Sequence, residues 1–169
     1  MALILHSSNK VDVDQLSDYI FLGACTSAKN SQWLINNKIK YVLNIGSPTS
    51  YDSLTYNTDD LNYMKNINYL KFDINDRPTA NISDIFNSCF EFIDDAITNE
   101  SNILIHCASG ISRSSTICIA YFMSRNNWSF DTSYKYVKEK RFCINPNKGF
   151  LGQLQKYETE KVKYSERRS

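Results

Sequence analysis

One stretch of this 169-residue chain holds a nucleophile and a fork-shaped cation at short, fixed spacing: His106-Cys107-Ala108-Ser109-Gly110-Ile111-Ser112-Arg113-Ser114. Five residues separate Cys107 from Arg113, and 108–110 and 112 are small or permissive. That spacing suits attack of a thiolate on a phosphate. Backbone N–H groups of a tight loop converge on one point, and a helix N-terminus adds partial positive charge there. Such a field holds an anion and favours thiolate over thiol. Arg113 supplies a planar fork that grips two phosphate oxygens. As charge builds on those oxygens during transfer, fixed donors stabilise the transition state rather than the ground state. Gly110 opens a backbone conformation closed to most residues, and Ser114 is placed to hydrogen-bond the sulfur and ease its departure. Each residue alone has an ordinary explanation: a cysteine is usually a small buried hydrophobe, a serine a helix cap, and His106 a strand-end side chain that orders a loop. The combination carries the chemical reading.

The loop needs a strand before it and a helix after it. Ile103-Leu104-Ile105 is a brief apolar run, so 102–106 reads as a short buried strand. Ile117, Ala120, Tyr121 and Ser124 recur at helical spacing, which predicts a helix from Ser114 to Met123. Tyr69-Leu70-Lys71-Phe72 reads as a further strand. A helix opening at Asn81 follows it, with apolar residues at 82, 85, 86, 89, 90, 93, 96 and 97 forming a core-facing stripe. Asn81 and Asp84 resemble a capping box.

At these residues the sequence resembles the cysteine-dependent protein tyrosine phosphatases, and within them the small dual-specificity phosphatases. Tyr19-Ile20-Phe21-Leu22-Gly23 and Ala28-Lys29-Asn30 are similar to the family's opening strand and first helix. Tyr41-Val42-Leu43-Asn44-Ile45 is similar to its central strand. The run from Ile144 to Leu154, through Asn145-Pro146-Asn147-Lys148-Gly149, is similar to the segment that opens its last helix. The resemblance implies an α/β fold of protein tyrosine phosphatase type, a single domain whose central, mostly parallel sheet of about five strands is flanked by helices. It places the catalytic domain at 11–160, between an N-terminal extension, 1–10, and a C-terminal tail, 161–169, frayed after about Tyr164.

The resemblance also implies a general acid between strand and helix, and Ile74-Asn75-Asp76-Arg77-Pro78 resembles the family's acid loop with the acid at Asp76. Asp73 is the runner-up, Asp84 a helix cap. Cys107 would attack the phosphomonoester while Asp76 protonates the leaving oxygen; water would then hydrolyse the phospho-cysteine with Asp76 as base. A bell-shaped pH dependence is expected. Ala108, Ser109, Gly110, Ile111, Ser112 and Arg113 would bind the phosphate, and His106 and Asn145 would order the loop. Asn147 and Lys148 either meet substrate or belong to turn chemistry, and Arg77 could meet an acidic substrate flank. No lysine lies inside the loop, which argues against a highly phosphorylated head group, and the aromatic-rich loop of the larger tyrosine-specific enzymes is not found. A shallow pocket open to phosphotyrosine, phosphoserine and phosphothreonine is therefore expected. The rivals are a phosphatase of an RNA 5′ end, glycan or lipid, a sulfur transferase of rhodanese type, and a pseudo-phosphatase that only binds phosphoproteins. Loss of the nucleophile would mark the last, and Cys107 is present.

The rest of the chain bounds these expectations. Two histidines and no Cys-x-x-Cys pair give a metal site little support, so no metal or cofactor is expected. Nineteen basic against eighteen acidic residues leave no nucleic-acid footprint. No run approaches a membrane span, Met1 to Leu5 is too short for a secretory core, and Ala2 removes the myristoylation glycine. Five cysteines, an odd number without framework spacing, favour a reducing compartment: cytoplasmic, with nuclear access. Cys89 and Cys118 read as core; Cys25 and Cys143 lie in or near loops, and any of the four is a nominal resolving partner for Cys107. Tyr51 to Met64 reads as a polar loop with a short helix. Lys138-Glu139-Lys140-Arg141 reads as the solvated end of an amphipathic helix. Phosphoproteins are the expected partners, and a monomer or weak homodimer the expected state.

Overall fold

The computed structural model describes residues 11–46 and 58–166. The N-terminal extension, the first part of the polar loop and the last three residues lie outside them. Its elements run β1 (Val13–Gln15), β2 (Ile20–Gly23), α1 (Cys25–Ala28), α2 (Ser31–Asn36), β3 (Ile39–Ile45), α3 (Thr58–Met64) and β4 (Asn68–Phe72). A 3-10 turn (Ile82–Ile85), α4 (Phe86–Thr98), β5 (Asn102–His106), α5 (Arg113–Arg125), α6 (Phe130–Lys140) and α7 (Lys148–Glu166) follow.

The sheet order is β1-β2-β5-β3-β4. β5 runs parallel to both neighbours, β2 and β3, and β4 runs parallel to β3; the short edge strand β1 is antiparallel to β2. A parallel strand with both faces covered should be apolar throughout, and Ile103, Leu104 and Ile105 are each 0% exposed. Their alternation sorts the core. Ile103 and Ile105, with Leu22 and Leu43, face the larger cluster built by α4, α5, α6 and α7, including Phe90, Ile117, Val137 and Phe150. Leu104, Phe21 and Val42 face the smaller one, closed by Ala28, Leu34 and Met64 from α1, α2 and α3. A bulge between Ile39 and Tyr41 puts Ile39 on the same face as Val42, where strict alternation would oppose them.

Several expectations need correction. The strand containing Tyr41–Ile45 is interior, but β5 is the middle strand. A strand, β1, precedes the expected opening one. The first helix is two short ones, with Asn30 capping the second by accepting from Trp33 N–H at 2.9 Å; Cys25 opens α1. The stripe that begins at Ile82 starts as a 3-10 turn, and Asn81 makes no side-chain cap. Gln153 of α7 acts there instead: its Oε1 accepts from Ser83 N–H at 2.9 Å, and its Nε2 donates to Ala80 O at 2.8 Å. The structure buries α5 continuously from Arg113 to Met123, because the sheet and α4, α6 and α7 surround it; a helix buried on all sides needs no single apolar stripe. α7 continues through Tyr164 to Glu166.

The largest correction concerns Arg141. It is 2% exposed rather than solvated. Ser133, Val137 and Arg141 share a buried face at four-residue spacing. The backbone leaves the helix at Arg141, and its side chain turns inward to pair with Asp12 and Asp14.

Candidate active site

β5 ends at His106, so Cys107 emerges at the C-terminal end of the middle strand, in the crevice where open α/β sheets bind ligands. The peptide from there to α5 is held from outside, carbonyl by carbonyl. Ala108 O accepts from Cys25 N–H at 3.0 Å, and Ile111 O from Asn145 N–H at 2.8 Å. Ser109 O accepts from Arg141 Nη2 at 3.2 Å and Gly110 O from Arg141 Nε at 3.0 Å. Ser112 O accepts from Thr116 N–H at 3.0 Å within the first turn of α5. No peptide bond in the described residues is cis. In a trans peptide the N–H points opposite to the C=O, so outward carbonyls at 108–112 turn the N–H groups of 109–113 inward. One of these is directly visible: Gly110 N–H donates to Cys107 Sγ at 3.2 Å. Gly110 has φ +66°, and a Cβ there would stand 2.5 Å from Gly23 O, so a side chain is excluded by strain and by space.

The sulfur has a second donor, Ser114 Oγ at 3.1 Å. Cys107 is 2% exposed. Arg113 is 7% exposed; one end of its fork donates to Ile74 O at 3.1 Å, while its buried Nε has no hydrogen-bond partner. A buried donor without an acceptor is costly, and a bound oxyanion would satisfy it.

His106 is buried, and burial pushes its imidazole down to about 4, against the small opposing pull of the Cys107 carbonyl. Its Nδ1 lies 3.2 Å from Cys107 O; a carbonyl only accepts, so Nδ1 carries the proton. A neutral, buried ring orders the strand end and is unsuited to serve as a base. Burial also pushes the Cys89 thiol up to about 12 and the Cys118 thiol higher still, which leaves both as inert core.

Asp76 reaches the loop from the β4–α4 connection. Its Oδ1 accepts from Ser112 Oγ at 2.7 Å and from Asn147 Nδ2 at 2.8 Å. Asn147 also donates its N–H to Ser112 Oγ at 3.1 Å and caps α7 by accepting from Phe150 N–H at 3.0 Å. The structure thus brings Cys107, Arg113, Ser114, Ser112 and Asp76 together, and it adds Asn147. Asn145 takes part through its backbone. Asp73 pairs with Lys71 at 3.8 Å, both exposed, away from these contacts. Asp84 is exposed in the 3-10 turn.

Three supporting residues escaped the sequence reading. Gly149 lets the β4–α4 connection lie against α7: a Cβ there would sit 1.8 Å from Pro78 O. Gln153 ties Ala80 and Ser83 to the same helix. Arg141 braces the 107–113 loop; burial opposes its charge, but the hydrogen bonds it donates to Asp12 and Asp14 outweigh that and hold its pKa above the ordinary value. The buried spacing from Ser133 and Val137 was the available signal for Arg141.

Residues 20–160 match the family described as dual specificity phosphatase, catalytic domain. The probable rhodanese domain-containing dual specificity protein phosphatase of Dictyostelium discoideum is 37% identical over 143 residues, 85% of this chain and 28% of that protein. The serine/threonine/tyrosine-interacting protein of Mus musculus is 38% identical over 141 residues, 82% of this chain and 61% of that protein. The chain therefore spans less than two thirds of each of these relatives. The solved structure of human tyrosine phosphatase-like serine/threonine/tyrosine-interacting protein superposes with a TM-score of 0.79 at 33% identity, covering 89% of this chain and 98% of that one. With the family's signature on a mostly parallel sheet and the family match over residues 20–160, this chain belongs to the dual specificity phosphatase catalytic-domain family.

Proposed function

We propose that this chain hydrolyses phosphomonoesters on proteins, accepting phosphotyrosine and phosphoserine or phosphothreonine, through a phospho-cysteine intermediate. The observation that carries this reading is the Gly110 N–H and Ser114 Oγ on Cys107 Sγ, in a loop whose carbonyls are all held elsewhere, beside a buried Arg113 Nε that lacks a partner. In the first step Cys107 Sγ attacks phosphorus. The S–P bond forms, the P–O bond to the substrate breaks, and Asp76 gives its proton to the departing oxygen. The loop N–H groups and Arg113 hold the equatorial oxygens as charge grows on them. In the second step water attacks phosphorus and passes a proton to Asp76. The S–P bond breaks and inorganic phosphate leaves, with Ser114 Oγ stabilising the returning thiolate.

Ser112 and Asn147 occupy Oδ1 of Asp76, which supports Oδ2 as the oxygen that carries the transferred proton. The absence of lysine between Cys107 and Arg113 supports a singly phosphorylated target. Five unpaired cysteines support work in a reducing compartment, the cytoplasm with access to the nucleus, as a monomer or weak homodimer within phosphoprotein signalling.

The test is turnover of a phosphotyrosine peptide and a phosphothreonine peptide, without added metal, by wild type, Cys107→Ser and Asp76→Ala. Wild type should hydrolyse both. Cys107→Ser should be inert, and Asp76→Ala should fall by roughly 10²–10⁴-fold. A wild type that binds orthovanadate but hydrolyses neither peptide would sink the protein-phosphatase reading in favour of binding alone or another phosphomonoester.

A further inference from the structure

Among the described residues Arg141 is the largest fully buried side chain, and no step of the proposed chemistry uses it. One edge of its guanidinium is spent on the catalytic loop, with Nε on Gly110 O at 3.0 Å and Nη2 on Ser109 O at 3.2 Å. The other edge meets two carboxylates, with Nη1 on Asp14 Oδ2 at 2.8 Å and Nη2 on Asp12 Oδ1 at 2.7 Å. Two consecutive peptide planes are therefore gripped by one rigid, planar group. Because each plane is rigid, pulling its carbonyl toward Arg141 aims its N–H the other way. For the 109–110 peptide that target is Cys107 Sγ; for the 110–111 peptide it is the space beside it. The fit is close, since a Cβ on Gly110 would stand 2.9 Å from Arg141 Nη2. Asp12 and Asp14 are 55% and 43% exposed in their side chains, against 2% for Arg141. They lie in and just before the edge strand β1, at the opposite end of the sequence.

We propose that Arg141, aligned by Asp12 and Asp14, is a positioning residue for phosphate chemistry: it sets the direction of the Gly110 and Ile111 N–H groups, so oxyanion affinity and turnover depend on edge strand β1. The turnover half rests on the phosphatase reading; the oxyanion half stands without it.

A merely structural role would lower the folded fraction, which scales kcat and leaves KM and the affinity of the folded molecules unchanged. A positioning role changes the affinity itself. Two variants separate these. Arg141→Lys keeps the cation but cannot grip both carbonyls in one plane, and Asp14→Asn keeps the size and an acceptor oxygen while removing one charge. Each is measured by thermal unfolding, by calorimetric titration with orthovanadate at a temperature where it is folded, and by kcat and KM on a phosphotyrosine peptide. The expected result is vanadate affinity weakened by ~10–100-fold in Arg141→Lys and ~3–10-fold in Asp14→Asn, with KM raised as well as kcat lowered. The Gly110 amide proton resonance should move in both. Vanadate affinity within twofold of wild type in folded Arg141→Lys overturns the proposal. If Arg141→Lys does not fold, unchanged affinity in Asp14→Asn overturns it. A wild type that binds vanadate without hydrolysing peptide refutes the phosphatase reading, and the comparison of affinities still decides this one.

Discussion

The acid loop rests on a single missing side chain, and Gly149→Ala should disable Asp76 without touching it. A Cβ at 149 would lie 1.8 Å from Pro78 O and 2.5 Å from Pro78 C, and ordinary contact begins at 3.4 Å. The neighbour is backbone, so the loop must withdraw by about 1.6 Å, the difference between those two distances. Asp76 lies two residues from Pro78. A shift of that size carries Oδ1 from 2.7 and 2.8 Å past the reach of Ser112 and Asn147. Misplacement by ~1 Å can cost ~10²-fold, and a general acid contributes ~10²–10⁴-fold. Turnover of phenyl phosphate or a phosphotyrosine peptide should therefore fall by ~10²-fold, about 2.7 kcal/mol of barrier. An activated aryl phosphate, whose phenolate departs unaided, should change by no more than a few-fold. The assay is kcat/KM across aryl phosphates of graded leaving-group basicity: the dependence should steepen in Gly149→Ala and in Asp76→Asn alike, and the two together should be no worse than Asp76→Asn alone. Gly152→Ala is the control, because nothing lies within 4 Å of its Cβ and alanine favours the helix. Equal losses on good and poor leaving groups, or none on either, would refute the reasoning.

Two further outcomes are expected. Burial pushes the His106 imidazole from 6.5 down to about 4 in the folded chain; a depressed histidine pKa means the unfolded chain binds the extra proton, so this contribution is complete above about 6.5 and is lost as pH falls toward 4. The loss is about 3 kcal/mol over that window, read as urea midpoints at several pH values; His106→Gln should flatten the slope, and parallel curves for the two proteins would refute the assignment. Ser114→Ala removes a donor from Cys107 Sγ and should slow phospho-cysteine hydrolysis by ~10–10²-fold, so rapid-quench measurements should show a phenol burst and accumulating phosphoenzyme. A linear time course with unchanged kcat would exclude that role.

What was legible in the sequence was local. Ile103-Leu104-Ile105, the Cys107–Arg113 spacing and the helix after it are contiguous, and each constrains the next. The strand and the striped helix located the connection that holds Asp73 and Asp76, and the family resemblance, not the pattern, singled out Asp76. The Asn81 cap was a sound local pattern overridden by a distant partner, Gln153, 70 residues from Ser83. Arg141 stands beside Lys138, Glu139 and Lys140, and a charged run at a helix end ordinarily faces water; its partners Asp14 and Asp12 are 127 and 129 residues away. β1 is three residues, Val-Asp-Gln, too short and too mixed in polarity for a period to register. Long-range pairing accounts for the Asn81 and Arg141 misses, and brevity for that of β1.

The same separations order events during synthesis. Cys107 is made well before Asn145, Gln153 and Arg141, which brace the two loops around it. Closing contacts across such long stretches comes late and slowly. As the polypeptide lengthens, the Cys107 thiol therefore precedes the contacts that fix the carbonyls of 109–111, and on the proposed chemistry it gains its nucleophilic setting only once the segment through α7 has been delivered. On that chemistry the chain would carry its reactive group early and arm it last.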